Sequence, residues 1–304
     1  MKKALSIILV IVMLVYTLPL KFTINAETIS GTTGDCIWAL DGTVLTISGS
    51  GAMADHSWYE PAPWGTSITE VIIEYGVTRI GEAAFLYCFD LTNVSIPNSV
   101  TSIGSGAFQN CHRLTNISIP YSVTSISDYA FYGCLELNNI TIHNNITNFA
   151  YSAFGDTGYY NNPENWVDGV LYVGNYLIKT NDSLSKSYTI REGTVAIILG
   201  AFSHRSNLTN ITISKSIRYI EIGAFACCDN LTDAFYKGNE TEWATIINEG
   251  LIDVNIHYNY NPDESAKEQT AFGDIDGDGN ISATDALLVL QYSVGKITKF
   301  PVEQ

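Results

Sequence analysis

Basic residues are scarce in this chain: 15 Lys and Arg stand against 31 Asp and Glu among 304 residues, giving a formal charge of −16. An acidic surface without a basic stripe repels nucleic acid and anionic membranes, so both are excluded as partners. The five histidines share no ligand spacing, and zinc-protease, serine-nucleophile and paired-cysteine redox motifs are absent. The sequence therefore offers no candidate catalytic residues and predicts a protein that is not an enzyme.

Long apolar runs are also missing, except at the N-terminus. Residues 1–26 contain Lys2 and Lys3, an apolar run from Ala4 to Leu20 and a polar stretch that ends at Ala26. This layout is typical of a secretory signal peptide, with a retained N-terminal anchor as the alternative. Cleavage would remove three lysines and no acids, leaving 12 basic residues against 31 acidic ones and a charge of −19. We expect an extracellular protein with no membrane insertion after cleavage.

A repeat of 23 residues organises most of the chain. Phenylalanines recur at spacings of 23, 23, 23, 48 and 23, at Phe85, Phe108, Phe131, Phe154, Phe202 and Phe225. Strand-like phrases such as "LTNISIP" recur in register with them, and apolar and polar residues alternate within these phrases. A unit of this size cannot bury its own apolar face, so the units must stack around a continuous core. The pattern predicts a solenoid of short parallel strands joined by turns or short helices.

The same columns resemble the BspA-like bacterial leucine-rich repeats, whose 23-residue units carry this leucine, isoleucine-proline, Ala-Phe and cysteine pattern. The resemblance covers residues 68–236 and implies an α/β-type leucine-rich repeat solenoid. Residues 27–67 are expected to form an N-terminal cap and residues 237–259 a C-terminal cap, because solenoid ends need covers. A hairpin around Gly174-Asn175 is expected within an insert at about residues 160–185, where an inserted or degenerate repeat explains the 48-residue gap.

Six cysteines in a secreted chain would ordinarily indicate disulfides. Four of them fall at one phase of the repeat, three residues after a phenylalanine, at Cys88, Cys111, Cys134 and Cys228. Cysteine behaves as a small buried hydrophobe, so these residues are predicted to be free core thiols. The adjacent pair Cys227-Cys228 and the lone Cys36 remain without an assigned role.

The strand phrases place polar residues in two rows on one face. The first row is Asn93, Asn116, Asn139 and Asn210, and the second is Ser95, Ser118, Thr141 and Thr212. Solenoids commonly bind partners through such a face, so a polysaccharide or a host or cell-surface protein is a candidate ligand. The alternative is a solvated ladder whose side chains bond one another, since hot-spot aromatics and arginines are missing from these rows.

A calcium-loop pattern lies near the C-terminus. In "DIDGDGNISATD" the oxygen-bearing positions are Asp274, Asp276, Asp278, Asn280, Ser282 and Asp285, and Gly279 allows the sharp turn. Four clustered carboxylates repel one another without a cation, so the sequence predicts that this loop binds Ca²⁺. A helix starting at Asp285 is expected to end at Gly295.

This loop and helix, in residues 272–304, are similar to one half of a type I dockerin, and residues 260–271 would form the linker. The resemblance implies binding to a cohesin domain of a cellulosome-type scaffoldin. Its cohesin contacts would be Ala283 and Thr284, with Leu287, Gln291 and Tyr292 on the helix. Because dockerins carry two such segments, we expect the second to be missing through truncation.

The predicted function is therefore that of a secreted, non-catalytic leucine-rich repeat binding protein attached to a cohesin-bearing scaffold, in a setting of polysaccharide degradation. Two alternatives remain: a cell-surface adhesin whose calcium loop is structural, and a carbohydrate-active hydrolase component. No inward-facing carboxylate pair supports the hydrolase.

Overall fold

Short strands stack along the chain into a β-solenoid of about nine turns. The computed structural model describes residues 28–251, 253–261 and 286–287. Each regular turn contributes one strand to each of two series, numbered here in chain order. The predicted leucine-rich repeat solenoid is confirmed, with little helix among the described residues.

The first series contains the "LTNISIP" phrases and begins with three cap strands. Its members are β1 (Ile29–Thr33), β2 (Cys36–Asp41), β3 (Val44–Gly49), β5 (Glu70–Ile73), β7 (Asn93–Ser95), β9 (Asn116–Ser118), β11 (Asn139–Thr141), β16 (Ser187–Thr189), β18 (Asn210–Ile213), β20 (Asp233–Tyr236) and β22 (Asn255–His257). Its hydrogen-bonded sheets are β1-β2-β3-β5-β7, β9-β11 and β16-β18-β20-β22. The exposed polar rows lie on this series.

The second series precedes each phenylalanine. Its members are β4 (Gly51–Ala52), β6 (Val77–Ile80), β8 (Ser102–Ile103), β10 (Ser125–Ile126), β12 (Asn148–Phe149), β13 (Trp166–Val167), β14 (Val170–Val173), β15 (Tyr176–Thr180), β17 (Ala196–Ile197), β19 (Tyr219–Ile220) and β21 (Ile247–Asn248). Two sheets result, β4-β6-β8-β10-β12 and β13-β14-β15-β17-β19-β21. Both series are interrupted at the place where the 23-residue spacing fails.

The register follows the repeat. In the parallel pair β9 and β11, Asn116 lies opposite Asn139 and Ile117 opposite Ile140. Because side chains alternate across a strand, each column of the repeat keeps to one face of the sheet. The isoleucines therefore point inward while the asparagines point to solvent.

Stacked phenylalanine rings form the centre of the core. The ring centroids of Phe108 and Phe131 lie 5.1 Å apart with planes 5° from parallel, and those of Phe131 and Phe154 lie 5.0 Å apart. Phe85 continues this stack toward the N-terminus, where the Trp64 ring covers it at 5.8 Å. Trp64 is buried and its Nε1 donates to the Ala84 carbonyl at 3.0 Å, so this residue covers the end of the phenylalanine stack.

A degenerate turn accounts for the 48-residue gap. Strands β14 and β15 pair antiparallel as a hairpin across Gly174, which has a φ of 56°. The backbone N–H of Thr180 donates to the Ala201 carbonyl at 2.8 Å. In a regular turn, the backbone N–H of Phe131 makes the same bond to the Ala153 carbonyl. Thr180 thus occupies a phenylalanine position, and the ring column is interrupted there.

Besides the helical residues 286–287, helical structure in the described part is confined to three short segments. They are α1 (Gly158–Asn161), a 3-10 helix (Pro163–Asn165) and α2 (Glu240–Trp243). Helix α2 begins with a capping box in which Asn239 and Glu242 each accept from the other's backbone N–H. Within residues 28–251, 253–261 and 286–287, no helix is long and apolar enough to span a bilayer.

Candidate binding surfaces

The predicted polar rows lie on the first strand series. The six members on β7, β9 and β11 are exposed: Asn93, Ser95, Asn116, Ser118, Asn139 and Thr141. The other two lie on β18, beyond the break between β11 and β16. The structure therefore brings these residues together on one series that is divided among three hydrogen-bonded sheets, with breaks between β7 and β9 and between β11 and β16.

The prediction that Thr212 is exposed is wrong. Thr212 is buried, with 6% of its surface exposed, and Asn210 beside it is half-buried. Thr212 pairs with Phe235 on β20. At this end of the series, the bulky ring of Phe235 takes the row position that serine or threonine holds elsewhere.

The rows also include residues that the sequence patterns did not reveal. Ser187 pairs with Asn210, and Thr189 pairs with Thr212. Ser187 follows Leu184 by three positions, whereas Asn210 follows Leu208 by two. Because of this extra residue, the segment does not match the repeat phrase. Matching strands with a one-residue insertion allowed would have found them.

Neighbouring row members bond one another across the turns. Asn93 Nδ2 donates to Glu70 Oε1 at 3.0 Å, and Ser187 Oγ donates to Asn210 Oδ1. His257 Nε2 lies 2.7 Å from Asp233 Oδ1, and this contact lowers the pKa of the Asp233 carboxyl. These contacts favour the solvated-ladder interpretation for much of this face, because part of its polar capacity is already used.

The four cysteines in phase occupy a column beside the phenylalanine stack. Three thiols donate to the carbonyl of the phenylalanine in the preceding turn: Cys111 to Phe85 at 3.2 Å, Cys134 to Phe108 at 3.1 Å, and Cys228 to Phe202 at 3.0 Å. Burial raises the pKa of the Cys88 thiol to about 12 and also raises that of Cys111. Since nucleophilic reactivity needs the thiolate, these cysteines serve packing and hydrogen bonding.

The adjacent Cys227 belongs to a different column. It is exposed and adopts a left-handed backbone conformation with φ of 57°. The equivalent position, two residues after the phenylalanine, is also left-handed at Tyr87, Asn110 and Gly133. Cys227 is therefore a turn residue, whereas Cys228 is the member of the buried column.

The predicted calcium ligands and most of the cohesin contacts lie outside the described residues. These are Asp274, Asp276, Asp278, Asn280, Ser282, Asp285, Ala283, Thr284 and Gln291. Leu287 is described: it is helical and 51% exposed. Across the described ranges, no three His, Cys, Asp or Glu side chains are placed to share a metal ion. The calcium loop therefore stays a prediction.

Family comparisons agree with this architecture. The BspA type leucine rich repeat region matches in six copies over residues 63–184 and 163–249, and the dockerin type I domain matches over residues 244–292. The chain belongs to the BspA-type leucine-rich repeat family and carries a type I dockerin domain. Both domains are typical of secreted or cell-surface bacterial proteins, and a dockerin implies a cohesin-type partner.

Three of the solved structures that match the chain are leucine-rich repeat proteins. One from Eubacterium ventriosum has 20% identity and a TM-score of 0.35, covering 76% of this chain and 85% of its own. One from T. pallidum has 20% identity and a TM-score of 0.36, covering 70% and 90%. One from Bacteroides ovatus has 18% identity and a TM-score of 0.36, covering 78% of both. No curated protein is significantly similar to the chain.

The dockerin match begins at residue 244, ahead of the calcium loop. In the described part of that range, β21 pairs with β19 and β22 pairs with β20, so these residues extend the solenoid sheets. The two matched regions overlap at residues 244–249. The dockerin match therefore begins within the last turn of the solenoid.

Proposed function

We propose that the chain is an extracellular binding protein that attaches to a cohesin-bearing scaffold through a calcium-dependent dockerin and presents its solenoid to a ligand. The observation that carries this proposal is the acidic loop at residues 274–285, which lies inside the dockerin match. The donors are all oxygens: carboxylates at Asp274, Asp276, Asp278 and Asp285, with Asn280 and Ser282 between them. This set fits Ca²⁺, which prefers six to eight oxygen ligands.

Calcium would neutralise the clustered carboxylates and hold the loop against the helix that follows. Ala283, Thr284, Leu287 and Gln291 would then contact the cohesin. The exposure of Leu287 supports this assignment, because an apolar side chain that is half exposed is available to a partner. The expected result is that calcium removal abolishes docking without unfolding the solenoid.

The test is calorimetric titration of the full chain with a panel of type I cohesins, with calcium and with EGTA. Binding in calcium and its loss in EGTA are expected, and Asp276→Ala should weaken calcium binding at least about tenfold by removing a loop carboxylate. Asp41→Asn, an exposed carboxylate on the N-terminal cap, is the matched control. A cohesin complex that survives EGTA, or no binding to any cohesin, would contradict the proposal.

The solenoid is proposed to bind rather than catalyse. Support comes from the repeats, which account for residues 63–249, and from the burial that raises the pKa of the Cys88 thiol to about 12. Incubation with soluble plant polysaccharides should release no new reducing ends. If the folded protein releases reducing ends and the unfolded protein does not, the solenoid is a hydrolase and the proposal is contradicted.

A further inference from the structure

A cavity of about 560 Å³ opens on the turn side of the solenoid, beside the degenerate repeat. Four tyrosines, one acid and one lysine dominate its lining: Tyr129, Tyr132, Tyr151, Tyr160, Asp156 and Lys179. No aliphatic side chain lines it. Its volume lies within the range of about 300–1,000 Å³ that is usual for small-ligand sites. We call it the tyrosine cavity.

Tyr129 is held in a costly backbone conformation. Its φ is 58°, and the same position of other repeats, two residues before the phenylalanine, is occupied by Gly106, Gly200 and Gly223 and by Ala83, whose φ is 49°. A left-handed conformation costs a non-glycine residue about 1–2 kcal/mol. Glycine would relieve this strain, yet a bulky ring occupies the position. The Tyr129 side chain is also 42% exposed, so core packing does not explain its presence.

Neighbouring turns hold the rings in place. Ser152 Oγ accepts the backbone N–H of Tyr129 at 3.2 Å and donates to Asp128 Oδ1 at 3.0 Å. A Cβ on Gly155 would lie 2.9 Å from Tyr132 Cδ2, so only glycine lets that ring lie flat against the backbone. The rings of Tyr129 and Tyr132 meet edge to face at 5.5 Å. The aromatic platform is therefore built by two successive turns of the solenoid.

The polar groups at the cavity have charges of both signs. Asp156 Oδ1 accepts from Asn161 Nδ2 at 2.8 Å, which orients the carboxylate. Lys179 Nζ donates to the Gly200 carbonyl at 3.4 Å and retains two further donors. Burial, with the nearby Arg205, lowers the pKa of the Lys179 amine. The cavity thus offers both an acceptor and a donor to a ligand.

This lining selects among ligand classes. A quaternary ammonium would suit an aromatic cage, but the Lys179 charge opposes it. An anionic ligand would meet Asp156 and the strongly acidic chain, and an aliphatic peptide would find no aliphatic pocket. A pyranose fits, because its C–H face packs on aromatic rings while its hydroxyls bond acids, amines and phenols.

We propose that the tyrosine cavity binds a neutral hexopyranose unit of a polysaccharide, with Tyr129, Tyr132 and Tyr151 as the stacking platform and Asp156 and Lys179 as hydroxyl partners. This rests on the proposed function in one respect, that the solenoid is the ligand-binding part of the chain. It places the ligand on the turn side instead of on the asparagine rows.

The test is calorimetric titration of the full chain with cellohexaose, mannohexaose and galactohexaose, carried out in EDTA. At least one sugar should bind with a dissociation constant below about 1 mM. Tyr129→Gly keeps the left-handed turn and removes the ring, so it should weaken that binding at least about tenfold. The midpoint temperature of thermal unfolding should stay unchanged or rise. Tyr151→Ala should weaken it similarly.

Tyr75→Ala removes another exposed tyrosine, one that does not line the cavity, and should leave sugar binding unchanged. Binding of none of the three sugars, preferential binding of choline, or unaltered affinity in both Tyr129→Gly and Tyr151→Ala would overturn the proposal. Because calcium is absent in these titrations, failure here is separate from failure of cohesin docking.

Discussion

Cys134 Sγ lies 3.1 Å from the carbonyl oxygen of Phe108, one turn earlier in the solenoid. The same bond recurs at 3.2 Å between Cys111 and Phe85, where both side chains are fully buried. A thiol is small and apolar enough for the core and still donates a weak hydrogen bond. The column therefore links consecutive turns through hydrogen bonds from side-chain thiols to backbone carbonyls as well as through side-chain packing.

Replacing Cys111 with alanine should destabilise the solenoid by about 1–2 kcal/mol. The loss combines a small cavity with a missing donor, and it is limited because the Phe85 carbonyl still accepts the Cys88 N–H at 3.3 Å. Urea unfolding followed by circular dichroism measures it. Cys227→Ala, at an exposed turn position, is the control and should change stability by less than about 0.5 kcal/mol. Equal effects of the two variants would count against the thiol column.

Removing one ring from the phenylalanine stack should be far more damaging. Phe108→Ala removes the ring that stacks between Phe85 and Phe131, and a buried phenylalanine to alanine change costs about 3–5 kcal/mol. Thermal and urea unfolding should both report the loss. The matched control is Phe89→Ala, which removes a ring that is 46% exposed. A loss in Phe89→Ala as large as in Phe108→Ala would show that the stack is not the central support.

The left-handed turn position of Cys227 predicts opposite effects for two substitutions. Cys227→Gly should leave stability unchanged or raise it by up to about 1 kcal/mol, because glycine adopts positive φ without strain. Cys227→Val should lower it by about 1–2 kcal/mol, because a β-branched residue is disfavoured there. Unfolding free energies of both variants, compared with Cys227→Ala, measure the difference. Indistinguishable values for Gly and Val would contradict the assigned conformation.

Glu221 should make stability depend on pH. Burial raises the pKa of the Glu221 carboxyl above the ordinary 4.5, and the nearby Glu249 raises it further. The backbone N–H of Leu199 donates to Glu221 Oε2 at 2.8 Å, and this hydrogen bond lowers the pKa in part. The Glu221 carboxyl holds its proton more tightly in the folded state than in the unfolded state. The free energy of unfolding therefore falls as pH rises from below 4.5 through the pKa of the folded state. Glutamine keeps an acceptor for Leu199 but does not titrate.

Glu221→Gln should therefore gain stability relative to the wild type as pH rises from about 4 to about 7. Urea unfolding at several pH values checks this trend. Glu240→Gln, the same substitution at an exposed position of α2, is the matched control. A Glu221→Gln difference that stays constant over this range, or that shrinks as pH rises, would contradict the raised pKa.

The repeat columns made much of the fold predictable. Phenylalanine, leucine and cysteine at fixed phase identify the inward side chains, because a strict 23-residue period must place equivalent residues above one another. The degenerate turn was harder to read. Thr180 stands where the other turns have a phenylalanine, so this turn lacks the Ala-Phe pair. One extra residue precedes Ser187, so its strand is out of phase with the repeat.

The candidate sites divide in the same way. The calcium loop is a local signal, since its ligands lie within one short segment and their spacing is set by a single turn. The tyrosine cavity is not local. Tyr129 and Lys179 are 50 positions apart in the chain, and they line one cavity only because of how the degenerate repeat stacks.

The sequence by itself determined the solenoid, its stacked core and the acidic loop within the dockerin region, because each is written as a repeat or as a short contiguous motif. Tertiary structure alone decided which polar row members are exposed, that Cys227 faces solvent while Cys228 is in the thiol column, and where four tyrosines converge. The physical reason is that exposure and cavities depend on which side chains lie on neighbouring turns. A large ring such as Phe235, or a threonine in place of a phenylalanine, changes that local packing without altering the repeat.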